Sequence, residues 1–194
     1  MCERSALIRN SMNVGHSQKE YNFMYDKSQV FHSFDCEQDA ERAIKRSLDA
    51  ANIWYKQQHI LKSGKRLDFV ARFDDFYFPI EVKKSLLSSS QMALAAAQAH
   101  SYAVALENPV FIGPIASNRL AVKSDEAMKY LAVVMAHFNV GYMVIRSTSF
   151  AFFLGEMPLM VFKPSRGVKF NPDRYRYRHW SGSQMKSVLV EQSK

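Results

Sequence analysis

An aspartate, a glutamate and a lysine form the pattern with the clearest chemistry in this chain. Two short segments rich in aromatic and branched residues flank Asp74-Asp75, which predicts a β-hairpin. If Asp74-Asp75 is the turn, paired residue numbers sum to 149 and Asp68 lies directly across from Glu81. Opposed side chains project from one sheet face with Cβ atoms about 4.5–5.5 Å apart, and Lys83, two residues after Glu81, shares that face.

Two carboxylates this close repel each other, so a positive charge is expected between them. Lys83 supplies one charge, and a divalent cation is the other solution, because carboxylate oxygens suit Mg²⁺ or Mn²⁺. Ile80 and Val82 alternate to the opposite face, towards the core. The alternative is an exposed hairpin edge with solvated charges, and a loop with an odd number of residues would turn one strand over.

The spacing of these residues resembles the signature of PD-(D/E)XK nucleases. Asp68, then twelve residues, then Glu81-Val82-Lys83 matches it, although Leu67 stands where that pattern has a proline. The resemblance implies a metal-dependent phosphodiester hydrolase with a restriction-endonuclease-like core. Asp68, Glu81 and the carbonyl of Val82 would hold the metal ion, and Lys83 would orient the attacking water or stabilise the developing anion.

Two helical motifs extend the resemblance. Ala40-Glu41-Arg42, followed two residues later by Ile44, is similar to the glutamate-bearing helix of archaeal Holliday-junction resolvases, which makes Glu41 a further catalytic and metal-binding residue. Glu37 is the competitor on the same helix side, where the helix dipole favours a carboxylate, and a solvated Glu41 is the structural alternative. Gln98 and Tyr102 resemble the Gln-x-x-x-Tyr motif of RecB-like nucleases. Gln98 would orient the water or Lys83, whereas Tyr102 would contact nucleic acid or simply pack.

The elements expected around these residues predict an α/β fold with a mixed central β-sheet flanked by helices. The first helix begins after Asp35, which we expect to cap it with Gln38 as its capping-box partner, and a Ser-rich break at 88–90 caps the second. We divide the chain into an N-terminal arm (1–33), a nuclease core (34–162) and a basic tail (163–194). Helices are expected at 37–52, 91–107 and 124–139, and strands at 53–57, 66–73, 76–83, 110–115, 142–147, 150–154 and 159–162.

The charge of the chain favours a polyanionic partner. The net charge is +8 and the pI about 9.5, and cationic side chains release the counterions condensed on phosphates. We expect nucleic-acid contacts from two basic groups, with a solvated turn and an exposed strand or ordered tail as the respective alternatives. The first group is Lys62, Lys65 and Arg66, and the second is Arg174, Arg176 and Arg178, which alternate with aromatic residues.

Localisation and assembly follow from what the sequence lacks. No apolar run reaches the roughly 18 residues of a membrane span, and the N-terminus has no apolar signal core, so we expect a cytoplasmic protein that has no membrane partner. Cys2 and Cys36 are read as free thiols. A partner subunit would supply specificity, whereas a two-fold homodimer would suit the cleavage of junctions or paired strands.

The sequence therefore predicts a Mg²⁺- or Mn²⁺-dependent deoxyribonuclease, and the small chain favours an endonuclease over a RecB-like exonuclease. Two alternatives stay open. One is a nucleic-acid-binding module of the same fold without activity, and the other is an endonuclease acting on RNA.

Overall fold

A computed structural model describes residues 31–61, 64–117 and 126–173. These residues form three helices and nine strands. In chain order the elements are β1 (Phe31–His32), α1 (Glu37–Ala50), β2 (Trp54–Ile60), β3 (Arg66–Phe73), β4 (Phe76–Val82), α2 (Ser89–Leu106), β5 (Val110–Ser117), α3 (Glu126–His137), β6 (Val140–Arg146), β7 (Ser149–Phe153), β8 (Pro158–Lys163) and β9 (Gly167–Phe170).

The strands join into one mixed sheet, as the sequence predicts. Its order is β2-β3-β4-β5-β6-β7-β8-β9, and β1 pairs with the end of β5. The central strands β4, β5 and β6 are parallel because α2 and α3 connect them as crossovers, whereas the remaining pairs are antiparallel. Every residue of β4 is buried, as expected of a strand covered on both faces.

The two faces of the sheet carry separate cores. Helices α2 and α3 cover one face, which we call the helix-pair face, and pack through small and medium side chains such as Met92, Ala99 and Met135. Helix α1 covers the other face, the α1 face. Strand β9 also closes over the α1 face, because the Phe170 ring lies 4.8–5.9 Å from three phenylalanine rings of the β3–β4 hairpin, Phe73, Phe76 and Phe78.

Helix α1 begins at Glu37 as predicted, but its capping differs from the expectation. Its N-cap residue is Cys36 rather than Asp35, and no side chain caps the first turn, so the predicted Asp35–Gln38 capping box is wrong. The preceding chain is held by tertiary structure, since the Phe34 amide donates to the Lys84 carbonyl oxygen (2.8 Å) beyond the end of β4. Cys36 is in a disulfide whose partner lies outside the described residues, so the free thiol expected at this position is also wrong.

The Ser-rich break caps α2 as predicted, and the helix begins at Ser89, two residues before the expected start at Gln91. Ser88 is its N-cap, and Ser88 and Gln91 form a reciprocal capping box. Strand β9 was not predicted and lies inside the segment assigned to the basic tail, just as β1 lies inside the N-terminal arm. No helix within the described ranges is long and apolar enough to cross a membrane, and the cytoplasmic location stays a prediction.

Candidate active site

The β3–β4 hairpin has the predicted turn and register. Asp74 and Asp75 form the turn, and the ladder from Phe73–Phe76 to Phe69–Ile80 keeps the sum of 149. The ladder ends one pair before Asp68 and Glu81, so the expected direct pairing of these two residues is not formed. Instead, the backbone N–H of Val82 donates to Asp68 Oδ2 at 2.7 Å. The Asp68 carboxylate is thus fixed at the end of β4.

The opposite side of β3 is also irregular at this position. The β2–β3 ladder pairs Gln57 with Phe69 and His59 with Leu67 but omits Gln58 and Asp68 between them. Gln58 has a left-handed backbone with φ of +52°, which is uncommon for a residue other than glycine. The strand therefore departs from regular pairing on both sides of a carboxylate that the sequence assigns to the active site. Such departures concentrate at functional sites.

Glu81 is a buried carboxylate with two donors. It is 4% exposed and lies on β4, facing the helix pair. Its Oε1 accepts hydrogen bonds from Lys83 Nζ (2.8 Å) and from Gln98 Nε2 on α2 (2.6 Å). Burial raises the pKa of Glu81, the hydrogen bond from Lys83 lowers it, and the charge of Asp68 raises it. The structure therefore brings together four of the predicted site residues.

Helix α1 adds carboxylates from the other face of the sheet. Burial raises the pKa of Glu41, and the charges of Asp68 and then Glu37 raise it further. The charge of Glu37 also raises the pKa of Glu81. Acidic groups on α1, β3 and β4 thus lie within electrostatic reach of one another, and both Glu41 and its competitor Glu37 belong to this group.

Two cations near this acidic group act against the repulsion. The charges of Lys45 and Arg66 lower the pKa of Glu41. Arg66 was predicted as a nucleic-acid contact. Lys45 was missed, although its position four residues after Glu41 is the spacing at which helical side chains of opposite charge meet.

The donor chemistry suits a hard divalent cation, but the side chains are not gathered around one point. Within residues 31–61, 64–117 and 126–173, no three His, Cys, Asp or Glu side chains are grouped so that they could hold a metal ion. Asp68 Oδ1 and Glu81 Oε2 take no part in the hydrogen bonds that join the described residues. Carboxylate oxygens of this kind are the ligands that Mg²⁺ and Mn²⁺ prefer.

The predicted nucleic-acid contacts are found only in part. The Lys65 ammonium lies 5.5 Å from the centroid of the Tyr102 ring, which is a cation–π distance. Tyr102 also packs against the helix-pair core, so it has a structural role as well. Tyr102 follows Gln98 by one helical turn, which puts this pair beside the Glu81 network. Lys62, Arg174, Arg176 and Arg178 lie outside the described residues.

Comparison with known proteins adds no relative. No family model, no curated protein and no solved structure matches the chain. The geometry at the end of the β3–β4 hairpin is therefore the main evidence for a function.

Proposed function

We propose that this protein is a metal-dependent nuclease of the PD-(D/E)XK class with a restriction-endonuclease-like core, acting on DNA as an endonuclease. One observation carries the proposal. The charge of Asp68 raises the pKa of both Glu81 on β4 and Glu41 on α1, while Lys83 donates to the buried Glu81. Carboxylates on three elements that lie within electrostatic reach of one another oppose folding, so a fold that keeps them near each other points to a site.

Each residue has a distinct role in this proposal. Asp68, Glu81 and the carbonyl of Val82 would hold the divalent ion, and Glu41 would bind it directly or through water. The ion would supply Lewis-acid polarisation of the scissile phosphate and lower the pKa of water. Lys83 stabilises the negative charge that develops on the phosphate as water attacks and the P–O bond breaks.

Gln98 is a positioning residue. Its 2.6 Å hydrogen bond keeps one oxygen of Glu81 turned towards α2 and Lys83, which leaves the other oxygen for the metal ion. Lys65 and Arg66 are exposed beside the acidic group and contact the phosphate backbone.

A nucleic-acid-binding module of the same fold without activity is the second candidate. It is favoured by the absence, among the described residues, of three potential ligands grouped around one point. A binding module needs the basic residues but not the acidic group. It therefore predicts that loss of Glu81 leaves the affinity for DNA unchanged.

The test is cleavage of supercoiled plasmid, linear duplex and single-stranded DNA, each with Mg²⁺, Mn²⁺ or EDTA. Lys83→Ala, Glu81→Gln and Asp68→Asn are compared with Lys84→Ala, a matched control that removes an exposed lysine next to the site. RNA of the same sequence is cleaved in parallel to separate the ribonuclease alternative.

The proposal predicts metal-dependent nicking of the closed circular plasmid that falls at least ~100-fold in the three site variants and is unchanged in Lys84→Ala. Cutting that survives both EDTA and Lys83→Ala would place the chemistry elsewhere. Binding without cleavage by well-folded protein, unaffected by Glu81→Gln, would establish the binding module. Cleavage restricted to RNA would keep the site and change the substrate.

A further inference from the structure

Helix α2 carries no charge, and its exposed side mixes apolar residues with a few neutral polar ones such as Gln91 and Ser101. Ser89–Leu106 contains no Asp, Glu, Lys or Arg. Its inward residues, among them Met92, Ala95 and Ala103, pack on the sheet. Its outward face still presents Leu94 and Val104, which are 76% and 62% exposed. Large apolar side chains on an uncharged helix surface mark an interaction site, so this outer face is expected to be buried in an assembly.

Helix α3 continues the same surface. Its large apolar side chains Tyr130 and Val133 are exposed, and so is Phe138, which directly follows the helix. Between the two helices runs a groove of about 310 Å³. No charged residue lines it, and its walls include Ala93, Ala96, Ala97, Leu131, Val134 and Phe138. A hydrogen-bond contact of 2.9 Å between His100 Nδ1 and the carbonyl oxygen of Phe138 joins the two helices at this groove.

We propose that this outer face of α2 and α3 is the interface of a two-fold homodimer. A two-fold interface brings the same patch of both copies together, so the patch must be complementary to itself. This face carries both a groove walled by alanines and large side chains beside it, Leu94 and Tyr130, that can enter the groove of a second copy.

Charge favours a second copy over a nucleic acid. The chain has a net charge of +8, yet α2 and the groove carry no cation that could meet a phosphate. Helix α2 is about 27 Å long and α3 about 18 Å, and each is about 10 Å wide, so together they give a patch of the order of 450 Å² in projection. A standard interface buries about 800 Å² of accessible surface per partner, so a dimer on this patch belongs to the small, weakly associating class of interfaces.

The groove itself lies apart from the acidic site. At 100° per residue, the groove residues Ala93, Ala96 and His100 lie on the side of α2 away from Gln98 and Tyr102. Leu94, four residues before Gln98, lies between the two sides, so a second copy that covers Leu94 reaches the edge of the acidic site. The assembly does not depend on whether the protein is a nuclease.

The test is sedimentation equilibrium of the full chain from low to high micromolar concentration. The expected mass is twice 22.3 kDa. Leu94→Arg and Tyr130→Arg place a charge in the interface and should raise the dimer dissociation constant by at least ~30-fold. Met157→Arg is the matched control, because Met157 is 55% exposed in the connection between β7 and β8.

Ala97→Phe separates a fitted interface from general stickiness. The substitution adds apolar surface but fills the groove. A dimer that depends on the groove should therefore weaken, whereas non-specific hydrophobic association should not. A wild-type chain that stays monomeric over the whole range overturns the proposal. So does a dimer that Leu94→Arg and Ala97→Phe leave intact, or one that Met157→Arg disrupts equally.

Discussion

The contact between Lys83 and Glu81 should stabilise the fold only when Glu81 is ionised. Lys83→Met keeps the aliphatic stem and removes the ammonium that donates to Glu81 Oε1 at 2.8 Å. A hydrogen bond to a charged group contributes about 1.5–3 kcal/mol. Since the Lys83 side chain is 25% exposed and the Glu81 side chain 5%, we expect a loss of about 2 kcal/mol at pH 8. For a chain of this length that corresponds to about 4–8 °C in Tm.

The sign of the pH dependence follows from the direction of the pKa shift. Burial holds the folded-state pKa of Glu81 above its ordinary value of 4.5, and the hydrogen bond from Lys83 opposes that shift. Without Lys83 the folded-state pKa rises further. Below 4.5 Glu81 is protonated in the folded and the unfolded chain alike, so wild type and variant differ little. As pH rises through the folded-state pKa, the variant loses more stability than the wild type.

Urea denaturation followed by circular dichroism, once well below pH 4.5 and once at pH 8, measures the difference. Lys84→Met is the control and should change the free energy of unfolding by less than ~0.5 kcal/mol, since its side chain is exposed. In a Glu81→Gln background, Lys83→Met should cost under ~0.5 kcal/mol, because no buried charge remains. An equal loss at both pH values, or an undiminished loss in the Glu81→Gln background, would refute the reasoning.

Three further predictions test other parts of the structure. Gly141→Ala should lower the free energy of unfolding, measured by urea denaturation, by at least ~2 kcal/mol, because the added Cβ would lie 2.4 Å from the Phe153 carbonyl oxygen. A free energy of unfolding within ~0.5 kcal/mol of wild type would mean that β6 and β7 do not approach so closely. His59 is buried with no partner for Nε2 among the described residues, and burial lowers its pKa. The free energy of unfolding of the wild type should therefore fall as pH drops below 6.5, and His59→Met should make that fall less steep. Parallel pH profiles of the two proteins would contradict this. Lys65→Met keeps the aliphatic stem over Tyr102 and removes the charge. In filter binding it should weaken DNA binding about 2–5-fold and reduce the salt dependence of binding by about one phosphate contact. An unchanged salt dependence would mean that Lys65 does not contact DNA.

The hairpin and the second helix were predictable because their signals are local. The turn at Asp74-Asp75 fixes the register of the strands on either side, and Ser88 with Gln91 marks a helix start within four residues. The bond from the Val82 amide to Asp68 was not predictable, because regular pairing would have given that amide to a backbone carbonyl.

The other misses depend on contacts between distant parts of the chain. The N-cap of α1 is Cys36, next to the hydrogen bond between Phe34 and Lys84, and no residue near the helix indicates that bond. Strand β9 has four residues and alternates between exposed and half-buried positions, so its sequence hardly differs from that of a loop. Phe170 is half-buried and packs against the core of the α1 face, a contact that its local sequence does not indicate.

The place of Phe170 over the hairpin has a consequence for folding in the cell. Its ring contacts involve Phe73, Phe76 and Phe78, which leave the ribosome about a hundred residues earlier, or roughly 5–20 s at ordinary rates of synthesis. During that interval the hairpin carries the acidic residues and also presents an uncovered row of aromatic rings. Contacts of such high sequence separation form late and slow folding. We therefore expect the nascent chain to be prone to aggregation at this hairpin, and chains truncated before β9 to require chaperones that the full-length protein does not.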